Sequence, residues 1–185
     1  MTRIMETTEW ASRTAPAHAR ALLGKFLVRR HAGGRIEARM ITETEAYDGE
    51  HDLACHARAG RTARTAVMYE PGGVWYVYLC YGIHEMLNLV VGPRDRPAAV
   101  LIRGVEGARG PGRVTKALGI DRRLNAQPAA PASGLWIEDR GVRVMRPRVQ
   151  VTPRIGVDYA GPEWAAKPWR FVLPAENLPR APKAR

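Results

Sequence analysis

Two glutamates in the stretch Glu43-Thr44-Glu45-Ala46-Tyr47 most directly indicate chemistry in this sequence. Side chains alternate between the two faces of a regular strand, so Glu43, Glu45 and Tyr47 share one face. Carboxylates are depleted in strands, and two of them beside an aromatic ring are typical of a general base next to a stacking platform. The alternative is the solvated face of an edge strand. Periodicity alone does not choose between the two glutamates.

The most aromatic stretch, residues 74–82, contains three tyrosines and one tryptophan. Alternation places Tyr76 and Tyr78 on one face and Trp75 and Tyr81 on the other. Core packing is one reading, although each buried phenol then needs a hydrogen-bond partner. Tyr81 precedes a glycine at a predicted turn, where we expect it to be exposed. An exposed aromatic tip on a basic protein favours contact with nucleic-acid bases, by stacking on them or by wedging between them.

Three neighbouring residues, His51, Cys55 and His56, are of metal-ligating types, but structural zinc sites have tighter paired spacings and a second pair elsewhere. The sequence therefore predicts no metal site. For His56 we expect a neutral hydrogen-bonding or stacking group, with a plain surface histidine as the alternative. Cys55 and Cys80 lack the CxxC spacing and are expected to be two buried thiols in a reducing compartment.

The glycine-rich stretch 110–112 leads into a predicted helix that carries Arg113 and Lys116. Free N–H groups at such a helix start can hold a phosphate, and Lys116 then faces solvent or phosphate rather than forming a Schiff base. A helix start shaped only by its glycines is the alternative. The stretch superficially resembles helix-hairpin-helix glycosylases, but the upstream segment Ala98–Arg103 has the pattern of a strand.

The elements that position these residues follow from periodicity and breaks. The expected helices are Pro16–Leu23, capped by Thr14, and Gly110–Lys116, stopped by Gly119; the expected strands are Lys25–Arg30, Arg35–Tyr47, Val74–Tyr81, Leu87–Val91 and Ala98–Arg103, the first two joined as a hairpin through Gly33-Gly34. No repeat or linker appears. We therefore expect one mixed α+β domain over residues 1–185, with a largely antiparallel, curved sheet flanked by helices. Residues 1–13 and 179–185 are expected to be loosely ordered.

The composition is that of a globular chain with one unusual property, its charge. Of 185 residues, 45% are hydrophobic and 25% are charged, and 29 Lys and Arg against 18 Asp and Glu give a net charge of +11. Such self-repulsion favours an anionic partner. The longest apolar run is about half of the roughly 20 residues that a membrane helix needs. We see neither a signal peptide nor a transit peptide and expect no membrane association.

Together these segments resemble the alkyladenine, or 3-methyladenine, DNA glycosylase family of the mammalian alkyladenine type, from about residue 22 to residue 171. The residues that carry the resemblance are Glu43-Thr44-Glu45-Ala46-Tyr47, His56, Tyr76-Val77-Tyr78, Tyr81-Gly82, Asn88, Val100-Leu101-Ile102-Arg103, Gly110-Pro111-Gly112 and Arg154-Ile155-Gly156-Val157. Their order and spacing are shared with the family.

The resemblance implies a monofunctional enzyme of base-excision repair that needs neither metal nor organic cofactor. It flips alkylated or deaminated purines (3-methyladenine, 7-methylguanine, hypoxanthine and ethenoadenine) out of double-stranded DNA and hydrolyses the N-glycosidic bond with water. By the same resemblance Glu45 activates the water and Arg103 holds it in place. The short N-terminus favours a compact bacterial form, expected to be a monomer in the cytoplasm at the nucleoid.

Further roles are implied by the same resemblance. Tyr47, His56 and Tyr78 enclose the extruded base, and their electron-rich rings suit cationic alkylated purines. Tyr81 fills the gap in the duplex. Asn88 crowds the 2-amino group of normal guanine, which gives selectivity through an unfavourable contact.

Gly112, Arg113 and Lys116 are candidates for contact with the DNA backbone. The implied fold resembles the C-terminal domain of methionyl-tRNA formyltransferase, so a non-catalytic nucleic-acid-binding module is the second hypothesis. A helix-hairpin-helix glycosylase or lyase is the third. Glu85, expected near the DNA side, and Ala59, in place of a glycine, depart from the family pattern.

Overall fold

A computed structural model describes residues 2–178, and every strand pairing within that range is antiparallel. The strands are β1 (Arg3–Ile4), β2 (Phe26–Arg30), β3 (Ile36–Asp48), β4 (Trp75–Cys80), β5 (His84–Val91), β6 (Ala98–Val105), β7 (Ala108–Arg109), β8 (Leu135–Asp139), β9 (Gln150–Thr152) and β10 (Arg170–Val172). The α-helices are α1 (Ala15–Leu22), α2 (Pro111–Leu118) and α3 (Gly161–Ala165). The expected α+β class with a large antiparallel sheet is confirmed.

The long strand β3 lies in the middle of the sheet, whose order is β1-β8-β2-β3-β6-β5-β4. Its first part pairs with β2 and its second part pairs with β6 and β10. The β2–β3 hairpin turns through Gly33 and Gly34, at φ 82° and 85°, a conformation that glycine adopts without strain. Because β3 is central, the reading of Glu43 and Glu45 as a solvated edge face is wrong.

The main hydrophobic core lies between the sheet and the helices α1 and α2. Trp75, Leu87 and Ile102 are completely buried there, and burying a side chain of this size stabilises the fold by about 1.5–3 kcal/mol. Tyr76 belongs to a second, smaller cluster with Tyr78 packed against it. The predicted division between two faces is therefore confirmed for Trp75, Tyr76 and Tyr78. Tyr81 lies beyond the end of β4 and is exposed, so its predicted place on the face of Trp75 is wrong.

Both predicted helices are present. Helix α1 follows Thr14, and α2 ends at Gly119, whose φ of 58° lies in the left-handed region. The residues before α2 form strand β7 rather than a helix, so the helix-hairpin-helix arrangement is wrong. Within residues 2–178, none of the helices is both long and apolar enough to cross a membrane.

The N-terminal segment is tied to the domain rather than loosely attached as expected for residues 1–13. Strand β1 pairs with β8, and the Trp10 side chain is 2% exposed in the main core. Burial of the large indole accounts for the difference. The other segment expected to be loosely ordered, 179–185, lies outside the described residues.

Candidate active site

A cavity of about 920 Å³ opens on the sheet face that carries Tyr76 and Tyr78. Its walls come from β3, β4, β5 and β6, from the start of α2, and from the segments around His56 and Ile155. One row of directly paired residues crosses the sheet here: Tyr76, Asn88, Leu101 and Glu45. Because paired residues share a face, this register brings side chains from four strands to one site.

Glu45 lies in the wall of this cavity, and its side chain is 0% exposed. The backbone N–H of Ile155 donates to Oε1 at 2.9 Å, and the Tyr47 hydroxyl donates to Oε2 at 3.0 Å. Burial raises the pKa of the Glu45 carboxyl, while Arg103 and these two hydrogen bonds oppose the rise. A carboxylate that is desolvated but still stabilised in its charged form is a strong general base.

The neighbouring Glu43 has a different environment. Arg170 donates from Nε to Glu43 Oε1 at 2.6 Å, and Arg103 Nε lies 3.0 Å from the same oxygen. The distance from Arg103 Nε to Glu45 Oε1 is longer, 3.6 Å. Among the described residues of the cavity wall, Glu45 is present and Glu43 is not. Two guanidinium groups thus neutralise Glu43, and Glu45 is the glutamate that faces the cavity.

A β-bulge directs Arg103 towards the two glutamates. Glu43 pairs with Gly104 and Thr44 pairs with Ile102, so Arg103 is the extra residue between them. Bulges of this kind increase the local twist and re-aim a side chain next to active sites. The Arg103 side chain is 15% exposed and therefore reaches solvent, whereas the Glu45 side chain does not.

The predicted base-enclosing residues lie together. The His56 ring is 4.6 Å from that of Tyr78, centroid to centroid, and His56 Nδ1 is 3.0 Å from the Tyr76 hydroxyl oxygen. Burial, with the positive charges of Arg64 and Arg58, lowers the pKa of His56 to about 4. His56 is therefore neutral at physiological pH, in agreement with the expected hydrogen-bonding and stacking group.

Two further residues complete the wall on the sheet side. Burial raises the pKa of the Tyr47 hydroxyl well above its ordinary value, so this group stays protonated and donates to Glu45. Asn88 is 3% exposed, and its Nδ2 donates to the carbonyl oxygen of Tyr76 at 3.2 Å. Both side chains are thus fixed by hydrogen bonds before any ligand arrives.

Tyr81 occupies the turn between β4 and β5 with its side chain 91% exposed, as predicted. Its φ is 50°, and Gly82 follows at φ 70°. The left-handed conformation costs a non-glycine residue about 1–2 kcal/mol. A large aromatic side chain held in the open by a strained backbone suits a contact with a partner.

The start of α2 borders the same cavity. Gly112 packs so tightly on His84 that an added Cβ would lie 2.9 Å from the imidazole ring. Sterics therefore explain why a glycine occupies this position. Arg113 lines the cavity, whereas Lys116 is exposed further along the helix, outside the cavity wall. Within residues 2–178 neither cation has a carboxylate within ion-pair distance.

Glu85, expected near the DNA side, does not line the cavity. Its Oε1 accepts a hydrogen bond from Arg122 Nε at 3.1 Å, and its neighbours His84 and Met86 line the cavity instead. Strand alternation explains this placement. Cys80 also differs from expectation, because it is only half-buried and lies in the cavity wall.

The residues of metal-ligating types do not assemble into a site. Cys55 is buried, which raises the pKa of its thiol to about 12, and the His51 ring packs against Trp164. Within residues 2–178 no group of three or more His, Cys, Asp and Glu side chains could hold a metal ion.

Sequence reasoning missed the support behind Glu45. Arg154 donates to both carboxylate oxygens of Asp52, at 2.6 and 2.9 Å, and to the carbonyl oxygen of Ala46 at 2.8 Å. Both charged side chains are 0% exposed. This ion pair fixes the chain at Arg154. The backbone N–H of the next residue, Ile155, donates to Glu45. Arg154 is part of the resemblance, but no local pattern reveals its partner 102 residues away.

Two residues of the cavity wall were also missed. The Arg64 guanidinium carbon lies 5.1 Å from the centroid of the Tyr78 ring. Tyr159 donates from its hydroxyl to the carbonyl oxygen of Ala54 at 2.8 Å, and Arg58 lies over its ring. Both come from irregular segments, where periodicity gives no signal.

Comparison with known proteins gives a consistent result. The family model for methylpurine-DNA glycosylase matches residues 9–109 and 105–177. Proteins of Psychrobacter cryohalolentis and Myxococcus xanthus, each named "Putative 3-methyladenine DNA glycosylase", are both 46% identical, with 86% and 92% of this chain and 86% and 91% of their own lengths covered. A protein of Arabidopsis thaliana, named "DNA-3-methyladenine glycosylase", is 41% identical over 88% of this chain and 68% of its own length.

Proposed function

The chain belongs to the methylpurine-DNA glycosylase family, and from that membership we propose that it excises damaged purines from duplex DNA with Glu45 as the general base. That it is a DNA glycosylase of the 3-methyladenine type follows from the family and its relatives. The mechanism rests on one observation: a buried carboxylate, an arginine and an aromatic cage line one cavity of a strongly basic protein. The proposed substrates are 3-methyladenine, 7-methylguanine, hypoxanthine and ethenoadenine.

The substrate nucleotide has to leave the duplex first. The sugar carbon under attack is shielded inside the stack, so an enzyme of this kind rotates the nucleotide into its pocket and loses a few kcal/mol of stacking and pairing. Tyr81 is the residue that we propose to fill the gap, because it is 91% exposed at the hairpin tip. Gly112, Arg113 and Lys116 then lie where the sugar-phosphate backbone passes.

The chemical step is a displacement by water. The water oxygen bonds to C1′ of the sugar, Glu45 accepts the proton, and the bond from C1′ to N9 breaks with its electron pair on the purine. Arg103 holds the water and keeps Glu45 ionised. Because the Glu45 side chain is closed to solvent in the free protein, we infer that a group beside it, the partly exposed Arg103, shifts when DNA binds.

The cage accounts for the acceptance of cationic bases. His56 is neutral because burial lowers its pKa to about 4, so it does not repel a positively charged purine. Tyr47 and Tyr78 then attract that purine by cation–π contacts worth about 1–2 kcal/mol each when desolvated. Asn88, fixed in the cavity wall by its hydrogen bond to Tyr76, crowds the 2-amino group of guanine.

All of these groups come from one chain, so a monomer is sufficient for the proposed reaction. This mechanism is that of the alkyladenine type. Action on genomic DNA places the protein at the bacterial nucleoid in the cytoplasm.

The substitution Glu45→Gln tests the proposal. It keeps the size of the side chain and removes the base, so single-turnover excision of 3-methyladenine or hypoxanthine should fall by about 100- to 10,000-fold. Binding to a duplex with an abasic-site analogue should persist, because the aromatic cage and the cationic surface remain. Excision and binding are measured on the same labelled duplex.

Glu43→Gln is the matched control, since it makes the same change two residues away on the same face. We expect a much smaller loss of excision, because Glu43 neutralises Arg103 and Arg170 and does not face the cavity. Retained excision in Glu45→Gln, or equal losses in the two variants, would contradict the assignment of the base.

A further inference from the structure

Arg64 is an exposed residue in the wall of the cavity, beside the residues proposed to enclose the base. Its guanidinium carbon lies 5.1 Å from the centroid of the Tyr78 ring, one of the rings proposed to hold the purine. Its charge also contributes to the low pKa of His56, after burial, and its hydrogen bond and charge oppose the burial-driven rise in the pKa of Tyr76. The Arg64 guanidinium thus acts on two residues of the cage, His56 and Tyr78, and on the neighbouring Tyr76.

The Arg64 guanidinium is available to a ligand. Arg103 and Arg154 both lie against carboxylates, whereas Arg64 has no carboxylate within ion-pair distance among residues 2–178. The turn that carries it is well fixed, because the hydroxyl of the next residue, Thr65, donates to the carbonyl oxygen of Gly60 at 2.8 Å. An arginine in a cavity wall that has no carboxylate partner can turn its guanidinium fork to a ligand.

The acceptors that match this group are on the purine. An arginine fork donates to O6 and N7 of a 6-oxopurine, which is the commonest base-specific contact that arginine makes. Hypoxanthine has this pair of acceptors. Alkylation at N7, as in 7-methylguanine, removes the N7 acceptor and adds a positive charge. The same arginine should therefore attract the first lesion and repel the second.

The charge of the leaving group reinforces this difference. When the bond from C1′ to N9 breaks, its electron pair stays on the base, so a neutral purine departs as an anion that later takes a proton from water. A purine that is cationic before cleavage departs neutral. A guanidinium near N7 stabilises the charge that develops in the first case and has nothing to stabilise in the second.

We propose that Arg64 is a specificity residue that favours neutral 6-oxopurine lesions over N-alkylated cationic purines by donating to O6 and N7 of the flipped base. This inference rests on the proposed function and deepens it. The competing assignment is a contact with a DNA phosphate, which would act on every substrate equally. The position of Arg64 on the Tyr78 ring favours the base.

The variants Arg64→Met and Arg64→Lys test the proposed role of Arg64. Single-turnover excision is measured on one duplex sequence that contains either hypoxanthine or 7-methylguanine. Methionine keeps the aliphatic stem and removes the charge and the donors. We expect excision of hypoxanthine to fall roughly tenfold to a hundredfold, while excision of 7-methylguanine stays the same or rises. Lysine restores the charge without the fork and should give an intermediate rate for hypoxanthine only.

Arg61→Met is the matched control, because Arg61 also lies over a tyrosine ring, that of Tyr69, but does not line the cavity. It should leave the ratio of the two rates unchanged. Melting temperatures verify that each variant is folded. Equal losses on both lesions in Arg64→Met, with a weaker dependence of binding on salt, would overturn the proposal in favour of a phosphate contact.

The wild-type rates separate the two proposals. If the wild-type protein excises 7-methylguanine but not hypoxanthine, the inference on Arg64 fails and the proposed function stands. If it excises neither these lesions nor 3-methyladenine, the proposed function fails.

Discussion

Asp52 with Arg154 and Glu45 with Arg103 are both buried carboxylate–arginine pairs, but their geometries differ. Arg154 binds Asp52 through two hydrogen bonds of 2.6 and 2.9 Å with both side chains closed to solvent. Arg103 approaches Glu45 at one point only, at 3.6 Å, and is partly exposed. The first pair is closed, and the second leaves its carboxylate in the wall of the cavity.

The number of hydrogen bonds that each carboxylate accepts explains the difference. The Asp52 carboxylate also accepts the backbone N–H groups of Asp48 and Ala54, at 3.2 and 3.0 Å, so all its hydrogen-bonding capacity is used within the fold. Glu45 accepts from Ile155 and the Tyr47 hydroxyl and lies in the cavity wall. Saturated hydrogen bonding fixes a structure, and incomplete pairing of a buried charge leaves chemistry available.

The largest expected effect is on the closed pair. Asp52→Asn leaves the Arg154 charge buried without a partner, and such a change costs about 3–5 kcal/mol of folding free energy. Urea unfolding followed by circular dichroism measures it. Asp95→Asn is the matched control, because it breaks the exposed pair with Arg61, for which about 0–1 kcal/mol is expected. A loss for Asp52→Asn as small as that of the control would show that the pair is not a structural anchor.

The next effect concerns Glu45 with Arg103, which we call the open pair. Arg103→Met removes the charge that lowers the pKa of Glu45, so that pKa should rise further and the acidic limb of the rate profile should move to higher pH. Loss of a hydrogen bond to a charged group predicts excision roughly 10- to 100-fold slower at neutral pH, with partial recovery as the pH increases. Single-turnover rates measured across pH check this. Arg103→Lys should retain the wild-type limb, and a loss independent of pH in Arg103→Met would contradict the coupling.

How much of the fold and of the candidate site can be predicted from the sequence depends on how far apart in the chain the contacting residues lie. Glu45, Tyr47, Tyr76 and Tyr78 were assigned to faces by alternation, which is a local rule, and the structure agrees. Asn88 and Arg103 joined them only through the family resemblance, because cross-strand register is not visible in one sequence.

The choice between the two glutamates could not be made locally. Glu43 is distinguished by Arg170, which lies 127 residues away, and Glu45 by the N–H of Ile155, 110 residues away. The role of Asp52 could not be predicted for the same reason. That of Arg64 could not be predicted because it lies in an irregular turn. Strand patterns thus placed the face that carries both glutamates, whereas long-range contacts decided which carboxylate on it lies in the cavity wall.

The smallest expected effect is on stability. It measures how much the buried, ionised Glu45 carboxylate destabilises the fold, apart from its role in excision. Burial raises the pKa of Glu45 in the folded protein, so the folded state disfavours the ionised form relative to the unfolded chain. Below the ordinary pKa of a glutamate, about 4.5, both states are protonated and this cost is absent; it appears as the pH rises through the folded-state pKa.

Glu45→Gln removes the charge at every pH and should therefore stabilise the protein at neutral pH, by about 1 kcal/mol if it follows other substitutions that trade activity for stability. The gain should shrink as the pH falls towards 4.5. Glu43→Gln should have the opposite sign, because it removes the charge that neutralises Arg103 and Arg170. Thermal melts of the three proteins across pH measure both. A destabilised Glu45→Gln at neutral pH would mean that Ile155, Tyr47 and Arg103 compensate fully for burial, and the open pair would then be as structural as the closed one.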